Sequence, residues 1–162
     1  MPSRAEAGVP NPAPRLEREI ELGTRLHFSE WPGGRGPLIG LPDPGGPGPV
    51  WADIVLALTP VWRVWLLAPR PTTPLPAQVV ETVWLLDVFG FEHPVFLAER
   101  RATQVGVSLA SWYPARLAGL VLIDPDVPRD TDQLTCPLLV ISTRAHAVDA
   151  LRDFLTSRVQ SA

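Results

Sequence analysis

Four nearly continuous apolar runs, separated by stretches with apolar residues at helical spacing, constrain this chain more than any other feature. The runs cover residues 63–68, 94–98, 119–124 and 137–142. A short run without polar alternation reads as a strand buried on both faces, as in a parallel sheet. Between and beside them, Val50, Ile54 and Leu58 repeat at helical spacing, with Pro49 suited to a first turn. Val79, Val80, Val83, Trp84 and Leu86 form a second stripe, with Gln78, Glu81 and Thr82 opposite, so residues 77–89 read as a helix ended by Gly90. Asp87 fits that helix badly, because the same spacing turns it towards the apolar face unless the last turn frays. Ala102, Val105, Leu109 and Trp112 make a third stripe before Pro114, and residues 148–159 a last helix through Leu151, Phe154, Leu155 and Val159. Buried strands alternating with helices predict an α/β fold: a mostly parallel sheet with right-handed crossovers, flanked by helices.

The amino-terminal part departs from this pattern. Residues 1–14, rich in Pro, Ala and Gly, read as a disordered tail ahead of a single domain over 15–162. Residues 19–22 and 25–28 each alternate polar with apolar, and Gly23-Thr24 between them reads as a hairpin turn. They predict an antiparallel edge, with His27 on its solvated face. Residues 37–41 form a short apolar strand, and the Pro- and Gly-rich stretch 42–49 a loop. Ligands of open parallel sheets bind beyond the carboxyl ends of the strands, so the loops after Leu41, Ala68, Ala98, Ile123 and Ile141 are the places to search.

Composition excludes several classes. The net charge of −3 argues against a polyanion partner such as nucleic acid. All 14 basic residues are Arg, a bias that fits a GC-rich genome. Cys136 is the only cysteine, which rules out an intrachain disulfide and fits a reducing, cytoplasmic setting. His27, His93 and His146 form no ligand pair, so no metal is implied. No apolar run approaches the ~20 residues of a membrane helix, and the amino terminus lacks the apolar core of a signal peptide.

The order of elements and several phrases resemble the α/β-hydrolase superfamily, in its esterase and epoxide-hydrolase-like branch. Residues 113–124, Tyr-Pro-Ala-Arg-Leu-Ala-Gly-Leu-Val-Leu-Ile-Asp, are similar to that family's HPERVAGLVLID. Residues 136–141 resemble its CPVLVI, 37–51 its PLVLLHGFPGS…VW, 63–69 its RVIAPD, and 85–98 its LLDALGLERPVLVG. The likeness spans about residues 18–158, lies mostly in core strands, and implies the fold more than the activity.

At the positions that the resemblance makes functional, the chain departs from the pattern. The family's G-x-S-x-G elbow falls on Ala98-Glu99-Arg100-Arg101-Ala102, so Arg100 takes the place of the nucleophile. A guanidinium stays protonated and cannot attack a carbonyl. Alanines replace both glycines, which puts the sharp turn itself in question. Pro42-Asp43 replaces the His-Gly of the oxyanion loop, bringing a carboxylate that would repel a developing oxyanion. His146 falls where the family carries its acid or, in another alignment, its catalytic His. The strand that normally precedes that His, and the lid, are missing, and only residues 125–135 connect the last two strands. Gly106-Val107-Ser108-Leu109-Ala110 imitates an elbow, but polar residues 100–104 cannot form the strand it needs, so Ser108 belongs inside a helix.

Asp43, Arg70, Glu99, Arg100, Asp126 and His146 are the pocket candidates, with Glu99 and His146 as acid or base and Glu99–Arg100 as an ion pair filling the old site. The six tryptophans mostly fall on core positions, with Trp31 and Trp62 near loops and partly exposed. The expected function is a shortened, lidless α/β-hydrolase-fold pseudoenzyme without the serine-hydrolase triad. It would bind a small apolar metabolite or a protein, including a second copy of itself across an exposed sheet edge. The alternative is an enzyme of changed chemistry, a cyclase, lyase or decarboxylase, or a residual hydrolase using Ser108. No cofactor is implied.

Overall fold

The computed structural model describes residues 16–21, 25–68, 72–126 and 131–159. The expected tail over 1–14, the turn at Gly23-Thr24 and the candidate Arg70 lie outside the described residues. The strands are β1 (Leu16–Glu21), β2 (Arg25–Trp31), β3 (Arg35–Leu41), β4 (Trp62–Leu67), β5 (Val95–Glu99), β6 (Gly119–Ile123) and β7 (Leu138–Ile141). The helices are α1 (Val50–Leu58), α2 (Leu75–Phe89), α3 (Thr103–Trp112) and α4 (Ala147–Phe154), the last continuing as a π turn over Leu155–Val159.

The strands form one sheet in the order β1-β2-β4-β3-β5-β6-β7. β2 runs antiparallel to β1 and β4, whereas β4, β3, β5, β6 and β7 are mutually parallel. The amino-terminal hairpin is therefore the antiparallel edge that alternation predicts. Leu26 and Phe28 are buried and His27 is exposed, 3.5 Å from Glu19 across the register.

The runs in β5 and β6 lack alternation because helices cover both faces of the sheet there, whereas β7, expected to be buried on both faces, is a partly buried edge strand with Val140 about half exposed. In β5, Val95 and Leu97 join the core with Val50 and Ile54 of α1 and Leu151 and Phe154 of α4. Phe96 and Ala98 turn the other way, towards Val79 and Leu86 of α2 and Val105 and Leu109 of α3. β6 repeats the division, with Val121 and Ile123 on one side and Leu120 and Leu122 on the other. Burying an aliphatic or aromatic side chain of this size contributes about 1.5–3 kcal/mol, and Phe96, Leu97 and Leu120 are wholly buried. The same pleat continued one step aims Glu99, the last residue of β5, at α1.

Several sequence expectations need correction. α2 is rotated from the expected stripe: Glu81 and Thr82 are buried with Val79, Leu85 and Leu86, while Trp84 and Val88 face outwards. Thr82 tolerates burial because its hydroxyl donates to the Gln78 carbonyl at 2.7 Å. The rotation also places Asp87 in solvent without fraying, 2.8 Å from the guanidinium of Arg116. Trp31 is buried rather than partly exposed, whereas Trp84 and Trp112 are about half exposed. Trp65 is the centre of the aromatic packing, stacked on Phe28 at 4.4 Å and met edge-on by Phe89. Ser108 lies inside α3, as expected.

Candidate functional site

The carboxyl ends of the central parallel strands carry two residues in the left-handed region. Arg100, directly after β5, has φ 51°, and Asp124, directly after β6, has φ 46°. Neither is Gly, and a non-glycine residue here is strained by about 1–2 kcal/mol. The sharp turn that the two alanines put in question is therefore present, with Arg100 at its apex. Ala98 and Ala102 are small enough to leave room for it, and Gly106 lets α3 lie close to the sheet. A Cβ at Gly106 would stand 3.0 Å from Leu120 and 3.2 Å from Ala98.

The expected Glu99–Arg100 pair does not form, because the pleat sends adjacent residues to opposite places. The Arg100 side chain turns out over the strand ends, where Nη1 donates to Asp124 Oδ2 at 3.0 Å and Nη2 lies 3.4 Å from Asp126. Glu99 turns inwards and is only 4% exposed. Its Oε1 accepts from the Asp43 backbone N–H (3.2 Å), the Gly48 backbone N–H (3.1 Å) and Trp51 Nε1 (2.8 Å). Two glycines permit this arrangement. Gly48 passes so close to the carboxylate that a Cβ would collide with Glu99 Oε2, and a Cβ at Gly40 would meet the Trp51 ring at 2.5 Å.

Asp43 holds a second carboxylate site. Its Oδ1 accepts from the Arg101 backbone N–H and from Arg101 Nε, both at 3.2 Å, while Oδ2 accepts from Arg101 Nη2 (3.2 Å) and the Gly45 backbone N–H (3.0 Å). The Arg101 guanidinium, aided by these backbone donors, keeps the Asp43 carboxyl below its usual range, and Asp43 in turn raises Arg101. Arg101, rather than Arg100, is thus the partner of the loop that follows β3. Sequence reasoning overlooked it because the two arginines are adjacent and chemically alike.

A cleft of about 240 Å³ opens beyond β5, β6 and β7. Glu99 and Arg100 form one wall with Asp124, Val50 and Ile123 supply apolar surface, and Ser142, Thr143 and Arg144 close the far side. Arg144 donates to Asp53 at 2.7 and 3.1 Å, and that guanidinium lowers the Asp53 carboxyl. Of the sequence candidates, Glu99 and Arg100 line the cleft, Asp126 reaches it through Arg100, and Asp43 backs Glu99. His146 does not line it: the residue is exposed in the turn ahead of α4, and Arg144 faces the cleft instead. Asp124, Ser142 and Thr143 lie in the loops after Ile123 and Ile141 that the strand pattern marks out, although none of the three was among the pocket candidates. Cys136 is half-buried on the other core, where burial raises its thiol and makes it a poor nucleophile.

No family model and no curated protein matches the chain. Solved structures do match its architecture. Epoxide hydrolase A from Mycobacterium thermoresistibile is similar at 26% identity with a TM-score of 0.59, over 73% of this chain and 42% of that enzyme. The enol-lactonase of Burkholderia xenovorans LB400 is similar at 23% identity and 0.56, over 67% and 46%. An epoxide hydrolase from Vigna radiata is similar at 22% and 0.57, over 73% and 41%. The chain spans less than half the length of these enzymes. Strand order, flanking helices and these likenesses agree that the chain has the fold of the α/β-hydrolase superfamily.

Proposed function

We propose that this protein is a non-hydrolytic member of its fold that binds a small molecule in the cleft beyond β5–β7. One observation carries the reading. In this superfamily the oxyanion is met by the backbone N–H after the nucleophile and by an N–H from the loop after β3. The corresponding donors are Arg101 N–H and Asp43 N–H, and both are already used by the protein's own carboxylates, Asp43 and Glu99. An occupied donor stabilises no developing charge, and removing even one such donor from a working site costs about 10²–10³ in turnover. The guanidinium of Arg100 at the apex of the turn adds to this, since it cannot serve as a nucleophile.

The test is direct. The full chain should neither hydrolyse p-nitrophenyl acetate above the buffer rate nor react with a fluorophosphonate probe. Arg100→Ser should restore neither property, because the donors stay taken. Probe labelling of the unaltered chain at Ser108, or steady ester turnover that Ser108→Ala abolishes, would overturn the reading.

A further inference from the structure

The ion pairs around the cleft leave one carboxylate without a cation. Arg100 is matched by Asp124 and Asp126, Arg101 by Asp43, and Arg144 by Asp53. Glu99 has no cationic partner among the described residues. All three of its hydrogen bonds converge on Oε1, and Oε2 accepts none from the described residues, although the side chain is almost wholly buried and lines the cleft. Oε2 is not shut off from solvent as Glu30 Oε2 and Glu81 Oε2 are, so it is open to a donor arriving through the cleft. The neighbouring cations are held by their own carboxylates and leave the charge of Glu99 to a ligand.

We propose that Glu99 Oε2 is the anchor for a cationic ligand: a small primary amine whose ammonium donates to Oε2 and whose apolar body lies on Val50, Ile123 and Ile141. This rests on the reading of the cleft as a binding site and names the class of molecule it takes. An ammonium brings donors and the missing charge together, and hydrogen bonds between charged groups are about twice as strong as neutral ones. The cleft disfavours an anion, because each guanidinium that lines it is already engaged by a carboxylate and Glu99 and Asp124 would repel it. An alcohol offers a donor without charge and should bind more weakly.

Titrating the full chain by calorimetry with n-hexylamine, n-hexanol and hexanoate at one pH and ionic strength separates these cases. Hexylamine should bind most tightly and raise the melting temperature. Glu99→Gln keeps an acceptor for the three donors at Oε1, and it should weaken hexylamine by about tenfold or more while leaving hexanol almost unchanged. Thr143→Trp, a change at an exposed position on the far side of the cleft, should block the amine while leaving Glu99 in place, which covers the case in which the Gln variant fails to fold. Preference for hexanoate, equal binding of the amine in the Gln variant, or no binding by any of the three would overturn the proposal. Ester turnover is read separately: if hydrolysis appears, the non-hydrolytic reading fails whatever the amine does.

Discussion

Arg100 stands at the apex of a strand-to-helix turn with φ 51°, a conformation that glycine adopts freely and other residues do not. Its ion pairs with Asp124 and Asp126 are exposed and contribute about 0–1 kcal/mol. Arg100→Gly removes those pairs and relieves the strain, but the unfolded chain gains freedom. The expected change in unfolding free energy is within about 1 kcal/mol. Arg100→Val keeps neither the pairs nor the relief, and a β-branched side chain suits this backbone poorly, so it should be less stable than the Gly variant by about 1–2 kcal/mol. Urea unfolding of both variants checks the order, and equal stabilities would mean that the turn relaxes. Asp43 is the opposite case, a residue whose side chain holds two backbone N–H groups and a guanidinium. Asp43→Ala leaves the Arg101 and Gly45 N–H groups without their acceptor and should cost about 1–3 kcal/mol in the same measurement.

At the level of elements, the site depends on how closely α1 approaches β3. Gly40 of β3 lets the Trp51 ring lie against the strand, and that position brings Nε1 within 2.8 Å of Glu99. Gly40→Ala pushes the ring outwards and should destabilise the protein by about 1–3 kcal/mol. It should also shift the Trp51 indole N–H resonance more than those of the other buried tryptophans. An unshifted resonance would show that α1 adapts as a whole. α3 has the same requirement at Gly106, where Gly106→Val should detach the helix from β5 and β6 and cost at least as much. These glycines look unremarkable along the chain, since the residues they accommodate lie on other elements. The stripe of α2 misled for a related reason. Its spacing fits two overlapping faces, and the sheet selected the one that buries Glu81 and Thr82 and exposes Trp84.

For the whole molecule, the lowered carboxyls of Asp43 and Asp53 link stability to acid. Each folded-state value lies below that of the unfolded chain, so the stabilisation is fully present above the usual carboxylate range, near ~4. It is lost as pH falls through the lowered folded values. Asp43→Asn should therefore be less stable than the parent at pH 7 and should converge with it as pH falls through the lowered folded-state value. A difference that stays constant from pH 7 to acid would mean that the Asp43–Arg101 contact contributes no charge interaction. Among the described residues, no helix is long and apolar enough to cross a membrane. β7 ends the sheet, with Val140 about half exposed.

By itself the sequence determined the layers, the alternation of buried strands with helices, the hairpin edge, the place of Ser108 in a helix, and the position of Arg100 directly after β5. All of these follow from periodicity and punctuation within some fifteen residues of chain. Tertiary structure alone decided which charge meets which. Glu99 meets Asp43, Gly48 and Trp51 across separations of 56, 51 and 48 residues. Arg101 instead of Arg100 takes Asp43, and Arg144 instead of His146 reaches the cleft. Local periodicity records which side of its own element a residue occupies. The partner across the gap is set by where the crossovers deliver the next element and by the pleat that sends neighbours such as Glu99 and Arg100 in different directions.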